Sequence, residues 1–302
     1  MPDQGDGPTE DPNGAGEEEP VRPPAAGERP REERLERSFD RIIEEGRPRL
    51  RRGWTDGLST GAVAGIEVAI GILALLVVEA KTGDTLLGGL AFSVGFIGLR
   101  LGHSELFTEG FLVPVTVVAA GEARLRDLLR LWVSTLTGNL VGGWIMAWII
   151  VQGFPSIRHE AVVAGGYYVN TGVDGRSFAL AVLAGATITL LTRMHNGTDS
   201  EGAKLVASIA VAWILAGLRL FHSILDSLLA FVALNTGHAT FGYGAWAAFF
   251  GWLVLGNIVG GLGLTTLLRL VRSRARLVDH RVANDLPPVP IVTNAPGGGG
   301  ER

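Results

Sequence analysis

An all-α polytopic membrane protein is the fold class this sequence predicts: six transmembrane helices arranged as two inverted three-helix repeats, with the second and fifth helices broken. Three observations carry the prediction. First, the 302 residues are 47% hydrophobic and include 43 glycines, with a mean hydropathy of +0.31, too apolar and too Gly-rich for an average soluble domain. Second, the chain repeats itself. Gly98-Leu99-Arg100-Leu101-Gly102-His103-Ser104-Glu105-Leu106 echoes at Gly217-Leu218-Arg219-Leu220-Phe221-His222-Ser223-Ile224-Leu225, with His103 and His222 119 residues apart. Gly138-Asn139-Leu140-Val141-Gly142-Gly143 returns 118 residues later as Gly256-Asn257-Ile258-Val259-Gly260-Gly261. Two motifs sharing nearly one offset mark a duplicated unit. Third, both copies of the first motif set Arg and His in apolar surroundings, where an ionisable group costs roughly 2.5–3.5 kcal/mol and is a functional candidate by default.

Taken in order, residues 1–28 are rich in Pro, Gly, Asp and Glu and carry too little apolar surface to fold, so they read as a disordered tail. Residues 29–56 form an amphipathic juxtamembrane segment: Leu35, Phe39, Ile42 and Ile43 recur at helical spacing with charges on the other face. Such a helix lies at the membrane surface or packs on a partner helix. The transmembrane domain occupies 57–272, with repeats at about 57–151 and 177–270. Its first span runs from about Gly57 to Val78, long enough for a hydrocarbon core of about 30 Å and interrupted by Glu67. Residues 85–120 are too long for one straight span and are broken by Gly102-His103-Ser104-Glu105 and Pro114; non-helical backbone at that depth must be buried or line a cavity.

The third span covers about Leu128 to Val151, and a long polar loop, 152–176, joins the repeats. Span four runs from about Ser177 to Leu191, and span five from about Leu205 to Leu234 with its break at Phe221-His222-Ser223. Span six covers about Tyr243 to Leu268, and 273–302 is a cytoplasmic, largely disordered tail. Arginines before span one, between two and three, between four and five and after six place both termini in the cytoplasm, in a multi-pass protein of the cell membrane. An odd number of spans per repeat inverts the second copy, so the two broken helices meet near the midplane. The Gly138-Asn139 and Gly256-Asn257 motifs let helices approach closely, with each Asn hydrogen-bonding loop backbone across a tight crossing. Trp132, Trp144, Trp148, Trp246 and Trp252 read as interfacial anchors or subunit contacts.

The first break, Ser104-Glu105-Leu106-Phe107-Thr108-Glu109, the second, His222-Ser223-Ile224, and the paired Gly-Asn motifs together resemble the formate/nitrite transporter family, over about Ser59 to Arg272. The resemblance implies an aquaporin-like protomer, a homopentamer with one pore per subunit, and passage of a small monovalent anion or its conjugate acid. It further implies that Leu106, Phe107 and Thr108 narrow the pore. His222 becomes the central pore histidine with Thr108 as its partner and Ser223 beside it, Phe92 and Phe96 form part of the cytoplasmic constriction, and Leu215 helps form the other. Departures mark a divergent branch: Phe221 stands where members commonly carry an acidic residue, Ala184-Gly185-Ala186 lacks the usual span-four Asn, and well-known members lack Arg100 and Arg219.

A bare anion crossing an apolar constriction bears a large desolvation cost that a neutral weak acid avoids. Histidine, with an unperturbed pKa of ~6.5, suits a proton relay; its bland alternative is a neutral ring that fixes the break. His103 is as well explained by a structural role. Arg100 and Arg219 either attract anions or pair internally, and the intramembrane carboxylates Glu67, Glu105 and Asp226 are the expected partners, Glu67 first. Two rival readings remain: a neutral-solute, aquaporin-type pore, and a membrane scaffold whose partner surface is segment 30–50. No enzyme is expected, since the chain shows no metal-ligand cluster, nucleophile–base pair or phosphate loop, and no cofactor or nucleic acid is called for. Zero cysteines exclude disulfides and thiolate metal sites.

Overall fold

The computed structural model describes residues 31–284 and Leu286, so the tail expected at 1–28 and the chain beyond Leu286 lie outside the described residues. Those described form helices and turns, without a strand. Helix α1, Arg31–Arg51, leads into the long α2, Trp54–Thr82. Helix α3, Thr85–Gly102, ends at a break that resumes as a 3₁₀ turn, Phe107–Phe111, and then α4, Val113–Ala119. The first half closes with α5, Leu125–Gly153. The second half holds α6, Arg158–Val169, α7, Gly175–Asn196, and a second interrupted pair, α8, Glu201–Gly217, with α9, Ser223–Asn235. Its last span is α10, Tyr243–Ile258, continued by a π-helical stretch, Val259–Thr266, and α11, Leu267–Arg272; α12, Arg274–Ala283, follows.

Five apolar stretches are long enough to cross a bilayer: α2, α3, α5, α7 and the continuous Tyr243–Arg272. Helices α8, of 17 residues, and α9, of 13, are shorter and flank the second break. The span starts are written in local chemistry. Asp84 Oδ1 accepts the N–H groups of Leu86 and Leu87 at 2.8 and 3.2 Å and so caps α3. Asp174 and Ser200 do the same for α7 and α8. Gly83, at φ 68°, supplies the left-handed residue that ends α2.

Helices α2 and α5 cross where a Cβ on Gly142 would strike the Ala62 carbonyl, and α7 crosses the last span where a Cβ on Gly260 would strike the Val182 carbonyl. Gly138 and Gly256 make the flanking approaches, to the Leu58 carbonyl and the Ala181 side chain. With no hydrophobic drive between helices in lipid, such backbone-to-backbone approach is a main source of association.

The repeat is larger than the sequence suggests, because α6 occupies what reads as a polar loop. Its Ala161, Ala164, Tyr168 and Val169 are buried, and a Cβ on Gly165 would meet Leu229 O and Ala233 Cβ of α9. Helix α1 does the same in the first half, where a Cβ on Gly46 would meet Val113 and Val117 of α4. Each half thus begins with a short helix laid on the second part of its own broken span. Helix α1 packs its apolar face on other helices of the chain, as the second of the two readings of this segment has it. Its Phe39, Ile43 and Leu50 pack with Val117, Leu128, Leu270 and Leu277, and Ile42 with Leu112 and Val113, so protein rather than lipid covers its apolar face.

Helices α1 and α12 meet on one face. Phe39 lies 5.7 Å from the His280 ring, and Asp40 pairs with Arg276 at 2.5 Å.

Candidate functional site

Each break exposes backbone groups that helix geometry no longer satisfies, and lipid cannot satisfy them either. A buried asparagine does so in both halves. Asn139 Oδ1 accepts the Phe107 N–H at 2.9 Å, while its Nδ2 donates to Gly61 O at 2.9 Å and Glu105 O at 3.0 Å. Asn257 Oδ1 accepts the Ser223 N–H at 2.9 Å, while its Nδ2 donates to Ala181 O at 2.8 Å and Phe221 O at 2.9 Å. Each amide bridges the first and third spans of its half and holds the break in the second.

These clamps set the true correspondence between the halves. Phe107 matches Ser223 and Glu105 matches Phe221, offsets of 116 residues, not the 119 of the sequence echo. The left-handed residues that end the first parts of the broken spans agree: His103 at φ 53° and Arg219 at φ 51°, also 116 apart. The counterpart of His222 is therefore Leu106, both standing immediately before the resumed helix. His103 is exposed and ends α3, so the structure separates it from His222.

His222 is 1% exposed and joins the two breaks, its Nε2 lying 2.8 Å from Thr108 Oγ1. Its Nδ1 accepts the Leu225 N–H at 3.2 Å, so in the neutral ring the proton sits on Nε2 and is donated to Thr108. Ser223 Oγ is buried beside it and has no hydrogen-bond partner. Leu106 and Leu215 are buried, and the rings of Phe92 and Phe96 lie 5.5 Å apart, tilted at 56°. Phe107 lies 5.1 Å from Phe111 and 6.0 Å from Trp132, whose Nε1 donates to Gly110 O. Trp132 thus braces the first break. Trp246 and Trp252 likewise donate inward, to Ser227 and Ser177.

The charged groups pair differently from the expectation. Arg100 lies on the last turn of α3 and forms a forked contact with Glu201 at the start of α8, at 2.7–3.2 Å. Arg219, turned by its left-handed backbone, reaches Glu79 at 3.8 Å and lies 4.7 Å over the Tyr167 ring. Glu105 forms an ion pair with Arg49 at 3.0 Å and accepts a hydrogen bond from Arg52 at 2.5 Å, both on or just after α1. Neither Glu67 nor Asp226 has a cation partner among the described residues, and both Asp226 carboxylate oxygens are buried without a hydrogen bond. The two arginines occupy different local conformations, so one sequence motif delivers them to different neighbours.

On the side of α1, a cavity of about 380 Å³ is lined by Phe96, Leu99, Glu105 and Glu109 together with Arg49, Arg52, Arg100 and Lys204. Its cationic wall, with Phe96 in the lining, can draw in an anion. Arg49 and Arg52 escape a motif search because they precede the first span; their only sequence signal is the basic run Arg47 to Arg52. No group of three or more metal-ligating side chains occurs among the described residues.

The model of the formate/nitrite transporter family matches residues 36–271, from the second turn of α1 to the last turn of α11. The chain belongs to the formate/nitrite transporter family. Among curated proteins it is 27% identical over 258 residues to the inner membrane protein YfdC of Escherichia coli (strain K12), covering 81% of this chain and 80% of that protein. It is also 27% identical over 227 residues to a probable formate transporter of Methanothermobacter thermautotrophicus, 66% of this chain and 82% of that one. Among solved structures, an FNT family ion channel superposes with a TM-score of 0.64 at 21% identity, covering 76% of this chain and 96% of the other. A pentameric formate channel with formate bound gives 0.62 at 23% identity, with 75% and 97% covered.

Phe221 is buried among Tyr168, Phe249 and Tyr167, with ring centroids 5.3, 5.7 and 6.2 Å away. Helix α6, unread in the sequence, brings both tyrosines.

Proposed function

We propose that this formate/nitrite transporter family member is a channel or transporter for small monovalent weak-acid anions of the formate or nitrite type, with passage assisted by His222. The observation that carries the reading is the 2.8 Å contact between Thr108 and His222, one from each break. The cationic cavity concentrates the anion, and Phe92, Phe96, Leu106 and Leu215 form apolar constrictions that a neutral acid passes more readily than its anion. The ring donates to Thr108, which leaves the Thr108 hydroxyl proton free for a solute in the pore; a proton taken from solution at Nδ1, displacing the Leu225 N–H, makes the ring an imidazolium that passes its Nε2 proton through Thr108 to the anion and returns to neutral. A homopentamer in the cell membrane with both termini cytoplasmic accords with the pentameric relative and with the arginine distribution.

The test is uptake of formate, nitrite, lactate and glycerol into proteoliposomes at two pH values by wild type, His222→Ala and Thr108→Val. The expected outcome is pH-dependent uptake of at least one anion, reduced roughly 10²-fold in His222→Ala and less in Thr108→Val. Wild-type rate and pH profile in His222→Ala would remove the relay. Glycerol uptake independent of pH would favour a neutral-solute pore, and no uptake from assembled protein a scaffold.

A further inference from the structure

A second site lies outside the pore. Between the end of α7 and the last span is a groove of about 330 Å³ lined by Arg193, Arg269 and Arg272. None of the three has a carboxylate within ion-pair distance among the described residues, although Arg193 and Arg272 are near enough to act electrostatically on Arg269. Arg269 is only 9% exposed. Its Nη2 is anchored to Ser38 Oγ at 2.7 Å, while its Nε is buried with no acceptor. A cluster of three cations around an unsatisfied buried donor is complementary to a phosphate.

The rest of the groove selects the source of that phosphate. Leu190, Leu264 and Leu268 line it and are 43%, 53% and 65% exposed, on α7 and the last span, both long and apolar enough to cross a bilayer. A soluble anion would satisfy the arginines and leave the leucines bare. A zwitterionic lipid would cover the leucines but bring its ammonium group to the arginines. We infer that the groove binds the headgroup of an anionic phospholipid, with one acyl chain along Leu190, Leu264 and Leu268. Through Arg269 and Ser38 the headgroup would be linked to α1 and so to the mouth of the cavity described above.

Full-length protein, delipidated in detergent, is titrated with dioleoylphosphatidylglycerol, dioleoylphosphatidylcholine or inorganic phosphate alone, and bound lipid per protomer is read by native mass spectrometry beside thermal aggregation. Wild type should retain phosphatidylglycerol over phosphatidylcholine by about tenfold or more, and phosphate alone should not reproduce its thermal protection. The exposed pair Arg193→Gln/Arg272→Gln should assemble normally and lose the preference, and Arg269→Gln should lose it as well. Equal retention of the two lipids by wild type, an unchanged preference in the double variant, or full protection by phosphate would overturn the site. Disassembly of the double variant with its lipid preference intact would instead make the cluster a subunit contact and likewise overturn it.

Discussion

Asn139 and Asn257 each satisfy three backbone groups that a broken helix would otherwise leave bare in a region without water. Replacing Asn257 by Ala strands the Ser223 N–H and the Phe221 carbonyl, so the expected loss is about 3 kcal/mol, read as a lower apparent Tm in detergent. An unchanged Tm would mean that other donors take over the break. These two residues were legible because the motif occurs twice and an Asn among glycines has few other uses. The position equivalent to His222 was not legible: the Arg-Leu-x-His-Ser echo aligns His103 with it, whereas the backbone aligns Leu106. Residue identity repeats at one offset and hydrogen-bond geometry at another, and only the second decides what faces the pore. Glu105 illustrates the same limit, since its partners Arg49 and Arg52 come from a segment that looks separate in the chain.

At the level of elements, the crossings depend on carbonyl oxygens that leave no room for a methyl group. Gly260→Ala must push α7 and the last span apart against Val182 O and Ala186 N, costing about 1–3 kcal/mol. In contrast Gly244→Ala, on the same span with nothing near its Cβ position, should be neutral or raise Tm through helix propensity. Equal effects of the two would show that the crossing tolerates separation. Five of the long spans could be read from apolar run length alone, because bilayer thickness dictates it. Helix α6 could not. Its 12 residues are too short to register as a span, and its Gly165-Gly166 pair looks like a loop until α9 is seen lying against it.

The whole molecule is tied at one end by a polar cap that joins the first and last described helices. Glu122, between α4 and α5, lies 2.7 Å from Arg47 Nη2 and 3.0 Å from His280 Nδ1. Burial pushes its carboxyl up, but the hydrogen bonds from Arg47 and His280 outweigh this and leave it below its ordinary 4.5. A lowered carboxylate stabilises fully above its unfolded value and progressively less as pH falls through the folded one. The Tm difference between wild type and Glu122→Gln should therefore be constant above about pH 5 and shrink on further acidification; a difference that widens in acid would contradict the assignment. The cap was invisible in sequence, since α1 and α12 look like independent charged flanks. One last feature bears on what the gene can tolerate. Within Val259–Thr266 the backbone is wound as a π-helix; at its last residue Thr266 Oγ1 donates to Phe111 O of the first break at 2.8 Å, and just beyond it Arg269 turns in to Ser38. Each residue of an α-helix turns about 100°, so excising a single codon there would let the segment rewind and rotate everything after it. Thr266 would leave Phe111, Arg269 would swing away from Ser38, and α12 would lose its seat on α1. In this stretch the number of residues is as constrained as their identity.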